Sequence, residues 1–362
     1  MRVKIYGAGS IGNHLAHASR ELNWAVDIFD INQEALNRTK NQIYPQRYGK
    51  WDSEIGLYAV SDQEPNEYDL IIIGTPPDTH ISLAIQAVEQ KPKAILIEKP
   101  LSTPDLTNLD ELITKANQND VRLFIGYDHI VGKATSYLTE INALGDYGSL
   151  KTIDVDFREH WGGIFSAHPW LSGPKDSYLG YWQRGGGATG EHSHGINLWQ
   201  YLSHITGNGR VVSVSSSVKY NKEAETNYDS IALINVKTET GLTGRIAQDV
   251  ITCPPIKKAT LIYEKGLINW YCSFSPGQDL VKTISKDNQE TTRDFFKTRP
   301  EDFICELKHI EMSLKTNTES PIDVVRGLET MLVIAAVHKS ALEEKNVKID
   351  YSRGYSQNAL VC

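Results

Sequence analysis

The chain has 362 residues, of which 40% are hydrophobic and 23% charged, and its formal net charge is −8 at pH 7. This length indicates two domains, and the acidic balance argues against a general partner of nucleic acids or anionic membranes, because both need a basic surface. Scattered cysteines without a CxxC pair, no signal peptide and no apolar run long enough for a bilayer predict a cytoplasmic protein.

Residues 1–125 alternate short apolar strands with helices. Buried strands separated by helices predict a parallel sheet with helices on both faces, a doubly wound domain. The Ser102-Thr103-Pro104-Asp105 stretch predicts a helix start, with a hydroxyl cap followed by proline and an acid. The predicted strands are Val3–Tyr6, Ala25–Phe29, Leu70–Ile73, Ala94–Ile97 and Leu123–Ile125, and the predicted helices are Ile11–Leu22, Ile81–Gln90 and Leu106–Asn117.

A glycine-rich turn joins the first strand to the first helix. Its sequence is Gly7-Ala8-Gly9-Ser10-Ile11-Gly12. Such a turn lets the backbone approach a pyrophosphate, which the helix N-terminus then stabilises. Asp30 ends the second strand at roughly the 20-residue offset expected for an acid that binds a ribose hydroxyl. Its carboxylate would repel a 2′-phosphate, so NAD is favoured over NADP; the alternative is that Asp30 only caps the following helix.

After Gly126 the pattern changes to period-two alternation. Ile153, Val155 and Phe157 alternate with polar residues, and turns at 239–241 and 264–266 join further strands. This predicts a large, mostly antiparallel sheet with one open face, in a domain spanning 126–362. Helices over 300–315 and 324–343 are expected to cover the other face. The glycine- and aromatic-rich segment 161–199 follows no clean period and is typical of a functional loop.

Three further segments resemble the glucose–fructose oxidoreductase, inositol dehydrogenase and rhizopine-catabolism (Gfo/Idh/MocA) family. They are Thr75-Pro76-Pro77-Asp78-Thr79-His80, Glu98-Lys99-Pro100, and Gly185-Gly186-Gly187 followed by His194 and Asn197. The resemblance covers essentially the whole chain. It implies a Rossmann domain with an antiparallel second domain, and hydride transfer between NAD(P) and a hydroxyl-bearing carbon of a sugar or cyclitol. It also implies homodimers or homotetramers that associate through the open face of the sheet.

The catalytic assignment combines this resemblance with elementary chemistry. Lys99 follows a buried strand at the edge where such folds bind ligands, so its ammonium would stabilise an alkoxide. His194 is the candidate general base, because an imidazole titrates near neutral pH. Thr75, Pro76, His80, Glu98 and Lys99 are expected to contact the cofactor, although His80 is more typical of a residue at a helix start near it.

The sequence departs from the family pattern beside the histidine. Position 190 is glycine where an acid usually precedes the histidine by four residues. Either Glu191 takes over that bracing role, or His194 has no brace and His192 is the working histidine. A second departure is Gly126-Tyr127-Asp128-His129, where many members carry an asparagine and an arginine.

Polar and aromatic residues around the glycine triplet predict the substrate class. Aromatic faces stack on sugar rings and cationic groups bind anions, which favours a polar, carbohydrate-like substrate that carries an anionic group. An equally simple explanation is that these aromatics fill a subunit interface. The predicted substrate-binding residues are Arg158, His160, Trp161, Trp182, Arg184, His192 and Asn197, and no metal site is expected.

The leading interpretation is therefore an NAD-dependent dehydrogenase of sugars or sugar derivatives. A ligand-sensing regulator on the same fold is the alternative from another class, and the presence of both Lys99 and His194 argues against it. A scaffold protein would predict no nucleotide binding at all.

Overall fold

The computed structural model describes residues 1–60, 67–166, 168, 170–223 and 225–362. Two sheets organise these residues, one parallel and one mostly antiparallel. A continuous hydrophobic core extends from the first sheet through the helices of the second. None of the helices in this part of the chain combines the length and the apolarity that crossing a membrane would need.

The first sheet is fully parallel and has the strand order β3-β2-β1-β4-β5-β6. This order reverses between β1 and β4, where open α/β sheets bind their ligands. The prediction of a doubly wound domain is confirmed. Its strands are β1 (Arg2–Tyr6), β2 (Ala25–Asp30), β3 (Ile55–Ala59), β4 (Leu70–Ile73), β5 (Ala94–Ile97) and β6 (Arg122–Ile125), and its helices are α1 (Ser10–Glu21), α2 (Gln33–Arg38), α3 (Tyr44–Tyr48), α4 (Pro77–Val88) and α5 (Leu109–Gln118).

Two local predictions in this domain need correction. Strand β3 was not predicted, because it carries a glycine and only its first residue is buried. The helix predicted to start at 102–105 begins instead at Leu109. There the Asp105 carboxylate accepts hydrogen bonds from the Thr103 hydroxyl and the Thr107 N–H, and Leu106 has a positive φ of 61°. The side chain thus closes a local turn that competes with helix initiation.

The second sheet has ten strands in the order β14-β13-β12-β11-β7-β10-β9-β8-β15-β16. Only the β7–β10 pair is parallel, so the predicted mostly antiparallel sheet is confirmed. Its strands are β7 (Leu150–Arg158), β8 (Val211–Asn221), β9 (Tyr228–Thr238), β10 (Thr243–Asp249), β11 (Ile256–Tyr263), β12 (Gly266–Ser275), β13 (Gln278–Ser285), β14 (Glu290–Phe296), β15 (Val347–Ile349) and β16 (Leu360–Val361).

The two faces of this sheet differ as the alternation predicts. On β7, Ile153, Val155 and Phe157 are buried on the inner face, whereas Asp156 and Arg158 point to the open face. The inner face packs against α6, α8, α9 and α11. The helices of this region are α6 (Lys133–Ala143), α7 (Gly162–Ser166), α8 (Gly187–Glu191), α9 (Ser193–Ile205), α10 (Glu301–Thr316) and α11 (Val324–Glu343).

Helix α10 lies elsewhere than expected. It was predicted to cover the second sheet, but it packs mainly against α1 and the turn at 128–131. Just after it, the Ile322 carbonyl accepts a hydrogen bond from the Ile125 N–H at the edge of the first sheet. The C-terminal part of the chain therefore returns to the first domain, and this return closes one side of the cleft between the two sheets.

Candidate active site

A cavity of about 1310 Å³ lies between the two sheets. The first domain contributes the ends of β1, β2, β4 and β5, where open α/β sheets hold ligands. The second domain contributes the segment 157–194 and residues near 257, 272 and 297. This volume exceeds that of an ordinary small-molecule pocket of roughly 300–1,000 Å³, so there is room for two ligands side by side.

The glycines of the turn after β1 have three different roles. Gly7 has a φ of +106°, and a Cβ on Gly12 would lie 2.0 Å from the Gly7 carbonyl oxygen. These two glycines are therefore required by the turn and by the packing of α1 on β1, and Gly12 lies beneath the cavity. Gly9 has an ordinary φ of −84°, and a Cβ there would meet no atom within 4 Å. Nothing in the described protein requires a glycine at position 9, so close approach of a ligand is the physical reason that remains.

Asp30 faces this turn and does not cap the next helix. One of its carboxylate oxygens accepts the Ala8 N–H at 2.8 Å and the other accepts the Asn32 N–H at 2.8 Å. The cap of α2 is Asn32, whose side chain accepts the Glu34 N–H. Asp30 thus lies against the glycine-rich turn and lines the cavity, at the position expected for an acid that binds a ribose hydroxyl.

The loops after β4 and β5 form the floor of the cavity. Thr75 and Pro76 line it, whereas His80 is fully buried behind them. The two ring nitrogens of His80 lie 3.0 Å from the Pro100 carbonyl and 2.8 Å from the Thr75 carbonyl. The expected direct contact between His80 and the cofactor is therefore replaced by a bracing role, in which the ring holds the two loops together.

Lys99 and Glu191 meet across the domain boundary. The Lys99 ammonium donates to the Glu191 main-chain carbonyl at 2.9 Å and lies 3.3 Å from its carboxylate. Both side chains are largely buried, at 16% and 17% exposure. Burial raises the pKa of the adjacent Glu98 to about 8, although Lys99 opposes the shift. Glu191 is thus paired with Lys99.

His194 lies beside residues from the turn that follows β6. Its Nδ1 is 3.9 Å from an Asp128 carboxylate oxygen, and its ring centroid is 4.5 Å from that of His129. Burial lowers the pKa of His194 well below its usual value, and the His129, Lys99 and Lys257 cations lower it further. His194 is therefore neutral at pH 7 and can accept a proton.

The pKa of His129 moves in the opposite direction. Burial alone would lower it, but the Asp128 carboxylate and the Cys272 thiol raise the pKa of His129 to about 9. Burial lowers the pKa of His192, the alternative base. His192 lines the cavity, with its Nε2 3.3 Å from the Glu159 carbonyl. Both candidate bases are thus inside the cavity, and the choice between them remains a prediction.

Two of the seven predicted substrate-binding residues, His160 and His192, line the cavity, and five do not. Arg158 is on the open face of the second sheet, paired with Asp156 and Asp249, because it alternates with the inward-facing Phe157. Trp161 packs in a small separate core against Phe165 and Tyr228.

The other three corrections concern residues that brace the site. Trp182 stacks on the buried His338 ring, with centroids 4.2 Å apart. Arg184 pairs with Asp78 at 2.7 Å, across the domain boundary. The Asn197 amide donates to the Thr330 hydroxyl at 3.0 Å within the helix packing. Trp182 and Arg184 are predicted from their nearness in sequence to the glycine triplet and Asn197 from the family pattern, but helix and loop geometry turns all three away from the cavity.

The structure also brings in residues that no motif indicated. Arg47 donates to the Ser10 carbonyl at 2.9 Å and to the Ser10 hydroxyl at 2.7 Å, which places a cation at the phosphate-binding turn. Asp128 and His129 were noted only as a departure from the family pattern. Lys257 and Lys297 enter from β11 and from the segment after β14. These positions are far apart in sequence, and only the strand register brings them to one place.

Comparison with known proteins identifies the first domain. The model of the GFO_IDH_MocA family, described as an oxidoreductase family with an NAD-binding Rossmann fold, matches residues 1–127. An uncharacterized oxidoreductase of Synechocystis sp. is 29% identical over 158 residues, which cover 42% of this chain and 38% of that protein. The match thus spans well under two thirds of that relative's length.

Solved structures share the fold over nearly the whole chain. Levoglucosan dehydrogenase in complex with NADH and levoglucosan superposes with a TM-score of 0.75 at 15% identity, covering 96% of this chain and 99% of that one. The WlbA dehydrogenase from Bordetella pertussis, in complex with NADH and UDP-GlcNAcA, gives 0.71 at 19% identity, with coverages of 96% and 98%. The aldose-aldose oxidoreductase from Caulobacter crescentus gives 0.73 at 16%, with coverages of 96% and 99%. At these identities the likeness establishes the two-domain fold.

Proposed function

Residues 1–127 match the Gfo/Idh/MocA oxidoreductase family with its NAD-binding Rossmann fold, and from that premise we propose that the chain is an NAD-dependent dehydrogenase of CH–OH groups. Its substrate would be a secondary alcohol of a sugar, cyclitol or sugar derivative, or the corresponding ketone. The observation that carries this proposal is the meeting of Lys99, Glu191 and His194 in a cavity that begins at the phosphate-binding turn.

The residues present suit a bound dinucleotide. The open space at Gly9, the Asp30 carboxylate and the Arg47 guanidinium fit a pyrophosphate and its ribose. A bound nicotinamide supplies the hydride acceptor. The Lys99 ammonium would hold the substrate oxygen and stabilise the negative charge that develops on it as the hydride leaves carbon. Glu191 fixes the position of Lys99 through the two contacts described above.

Neutral His194 would take the hydroxyl proton as the C–H bond breaks and the carbonyl forms. The depressed pKa of His194 keeps the imidazole unprotonated at pH 7, which suits oxidation of the alcohol. In the reverse direction the protonated ring returns the proton to the alkoxide. His192 is the alternative for this role, since it lines the same cavity.

The substrate class is supported by the lining of the second domain. His160, His192, Tyr178 and the cations Lys257 and Lys297 face the cavity. Hydroxyl, imidazole and ammonium groups of this kind bind a polyhydroxylated ligand that carries an anionic group. The neighbours solved with levoglucosan and with UDP-GlcNAcA support a carbohydrate or its derivative.

We further propose a preference for NAD over NADP, a cytoplasmic location and a homodimer or homotetramer. The preference follows from the Asp30 carboxylate at the ribose position. The location follows from four free cysteines. Self-association through the open face of the second sheet is supported by the large apolar side chains exposed there, which are Leu233, Ile256 and Ile262.

Two measurements test the proposed function. Calorimetry should detect stoichiometric NADH binding to the purified chain, which a scaffold protein would not show. A panel of sugars, cyclitols and sugar acids should then include a compound that reduces NAD. Nucleotide binding with no turnover across that panel, in a protein whose Lys99→Ala variant keeps its cellular role, would favour the ligand-sensing regulator. Absence of both NADH and NADPH binding would refute the redox assignment.

A further inference from the structure

The imidazole of His194 has an unsatisfied position at its Nδ1 atom. This atom is buried and has no hydrogen-bond partner among the described residues. Buried polar atoms in native proteins are nearly always paired, so an unpaired one at an active site calls for a physical explanation. A neutral imidazole carries one proton, and the nitrogen that holds it is set by the partner of the other nitrogen. A base acting through Nε2 needs its proton held on Nδ1.

Residues next to His194 in sequence cannot hold that proton. A Cβ at Gly190 would lie 2.0 Å from the Gly185 carbonyl oxygen, so no side chain fits at the position where the family pattern places an acid. Glu191 is directed to Lys99. Position 190 therefore cannot supply the acid, and the acid at position 191 is paired with another group.

The Asp128 carboxylate is the acid that reaches His194 from elsewhere in the fold. Its Oδ1 is 3.9 Å from His194 Nδ1, and its side chain is only 13% exposed. The same oxygen accepts the His129 main-chain N–H at 2.8 Å and lies 3.3 Å from His129 Nδ1. These contacts fix Asp128 beside the catalytic histidine, about 1 Å beyond ordinary hydrogen-bond distance. Catalytic hydrogen bonds are commonly longer before the ligand binds.

We propose that Asp128 is the positioning residue of His194, accepting its Nδ1–H so that Nε2 is free to take the substrate proton. The turn after β6 thus supplies the carboxylate that position 190 cannot carry. This assignment rests on the proposed function for its catalytic meaning, but the hydrogen bond itself does not depend on it. Asp128, His129 and His194 also offer three ligand atoms within 4.8 Å of one another. Lys99 and Lys257 lie close enough to depress the pKa of His194, and such cations oppose a metal ion at this position.

The position of the His194 proton can be read directly. Full-length protein labelled with ¹⁵N-histidine, without ligand at neutral pH, gives separate signals for protonated and unprotonated ring nitrogens, and a His194→Gln variant assigns those of His194. We expect the Nδ1–H form in the wild type. Asp128→Ala should move the proton toward Nε2, the form that an isolated imidazole prefers. Asp128→Asn, whose amide oxygen still accepts a hydrogen bond, should restore the wild-type form in part.

Asp154→Ala is the matched control, because Asp154 is a carboxylate of the open face that pairs with Arg245. It should leave the His194 signals unchanged. An Nε2–H form in the wild type would overturn the proposal, and so would an unchanged His194 signal in both Asp128 variants. One equivalent of added Zn²⁺ that shifts both imidazoles of the wild type, and not those of Asp128→Ala, would also overturn it in favour of a metal site.

Activity provides a second test once the panel identifies a substrate. Asp128→Ala should lower kcat by about 100-fold, the lower end of what general acid–base catalysis contributes, with KM changed less than about threefold and with partial rescue in Asp128→Asn. NADH binding measured on the same samples separates the two proposals. If the wild type does not bind NADH, the dehydrogenase proposal is refuted. If it binds NADH but the His194 proton keeps its position in the Asp128 variants, only the role of Asp128 is refuted.

Discussion

The wall of the cavity that comes from the six-stranded sheet is built around a glycine-rich turn, whereas the wall from the ten-stranded sheet and its helices brings together ionisable side chains from distant segments. On the first wall, Gly7, Gly9 and Gly12 shape the turn, and Asp30 is the acid that faces it. On the second wall, Glu191, His194, Lys257 and Lys297 face the same space. In the proposed function, the first wall would hold its ligand through the shape of the glycine turn, and the second through individual side chains.

This difference has a physical consequence for substitution. Where a ligand approaches the main chain at a glycine, even one added Cβ atom interferes with binding. A side-chain site tolerates changes of the backbone's neighbours but not the loss of a charge that stabilises the transition state. Lys99 follows β5 of the first sheet, but its side chain pairs with Glu191 of the second wall. We therefore group it with the second wall.

The largest effect is expected at Lys99. Lys99→Ala removes the cation that stabilises the alkoxide, so kcat should fall by about 1,000-fold, or roughly 4 kcal/mol of transition-state stabilisation. NADH affinity, measured by calorimetry, should change less than about tenfold. Lys93→Ala, at an exposed lysine paired with Asp69, is the control and should keep full activity. Wild-type kcat in Lys99→Ala would remove the catalytic role assigned to the second wall.

The support behind the second wall should be acid-sensitive. Burial lowers the pKa of His338 to about 3, and its ring contacts Thr189 on α8 and stacks on Trp182. Because the folded-state pKa lies below the unfolded value of about 6.5, only the unfolded chain takes up this proton, and stability falls as the pH drops below about 6.5. This group alone should make the free energy of unfolding about 2 kcal/mol lower at pH 5 than at pH 8. The free energy of unfolding of His338→Gln, measured with denaturant, should lack this part of the pH dependence. If it changes with pH as much in the variant as in the wild type, the prediction is contradicted.

A substitution at Gly9 in the first wall should weaken cofactor binding without destabilising the protein. Gly9→Ala adds a Cβ that meets no protein atom, so the thermal midpoint should stay within about 2 °C, whereas NADH affinity should drop about tenfold, or roughly 1.4 kcal/mol. Gly173→Ala is the control, since a Cβ there is also unopposed and Gly173 does not line the cavity. Equal NADH affinity in both variants would show that the ligand does not approach this turn.

The smallest effect should appear at Asp30, the acid of the backbone wall. Asp30→Ala removes a carboxylate that repels a 2′-phosphate, so the NADPH-to-NADH affinity ratio should rise by about five- to tenfold, or roughly 1 kcal/mol. Fluorescence titration of both reduced cofactors measures this ratio. A ratio that does not move would place the 2′ position of the ribose away from Asp30.

The first domain was largely predictable because its signals are local. A strand, a glycine turn, a helix and an acid follow one another within about thirty residues, so their contacts are fixed by short-range geometry. The errors there were also local: the Asp105 turn competes with a helix start, and β3 has too little burial to stand out.

The second wall was predictable only in part. The strand alternation is confirmed, and Lys99, His192 and His194 line the cavity. Trp161, Trp182 and Arg184, which were assigned by nearness in sequence, do not line it. Nearness fails in this segment because short helices and turns rotate neighbouring side chains in opposite directions. Lys297 and Asp128 line the same cavity, and only the register of β12–β14 and the return of α10 place them there. No sequence pattern links these two positions.

The sequence by itself determined the two-sheet architecture, the glycine-rich turn after the first strand, and a lysine and histidines that line the cavity, because periodicity and contiguous motifs encode short-range contacts. The tertiary structure decided which acid lies beside which base. A side chain at position 190 is excluded by the Gly185 carbonyl, Glu191 pairs with Lys99, and Asp128 approaches His194 from the turn after β6. Partnerships of this kind depend on ångström-scale distances between segments far apart in the chain, which no local pattern records.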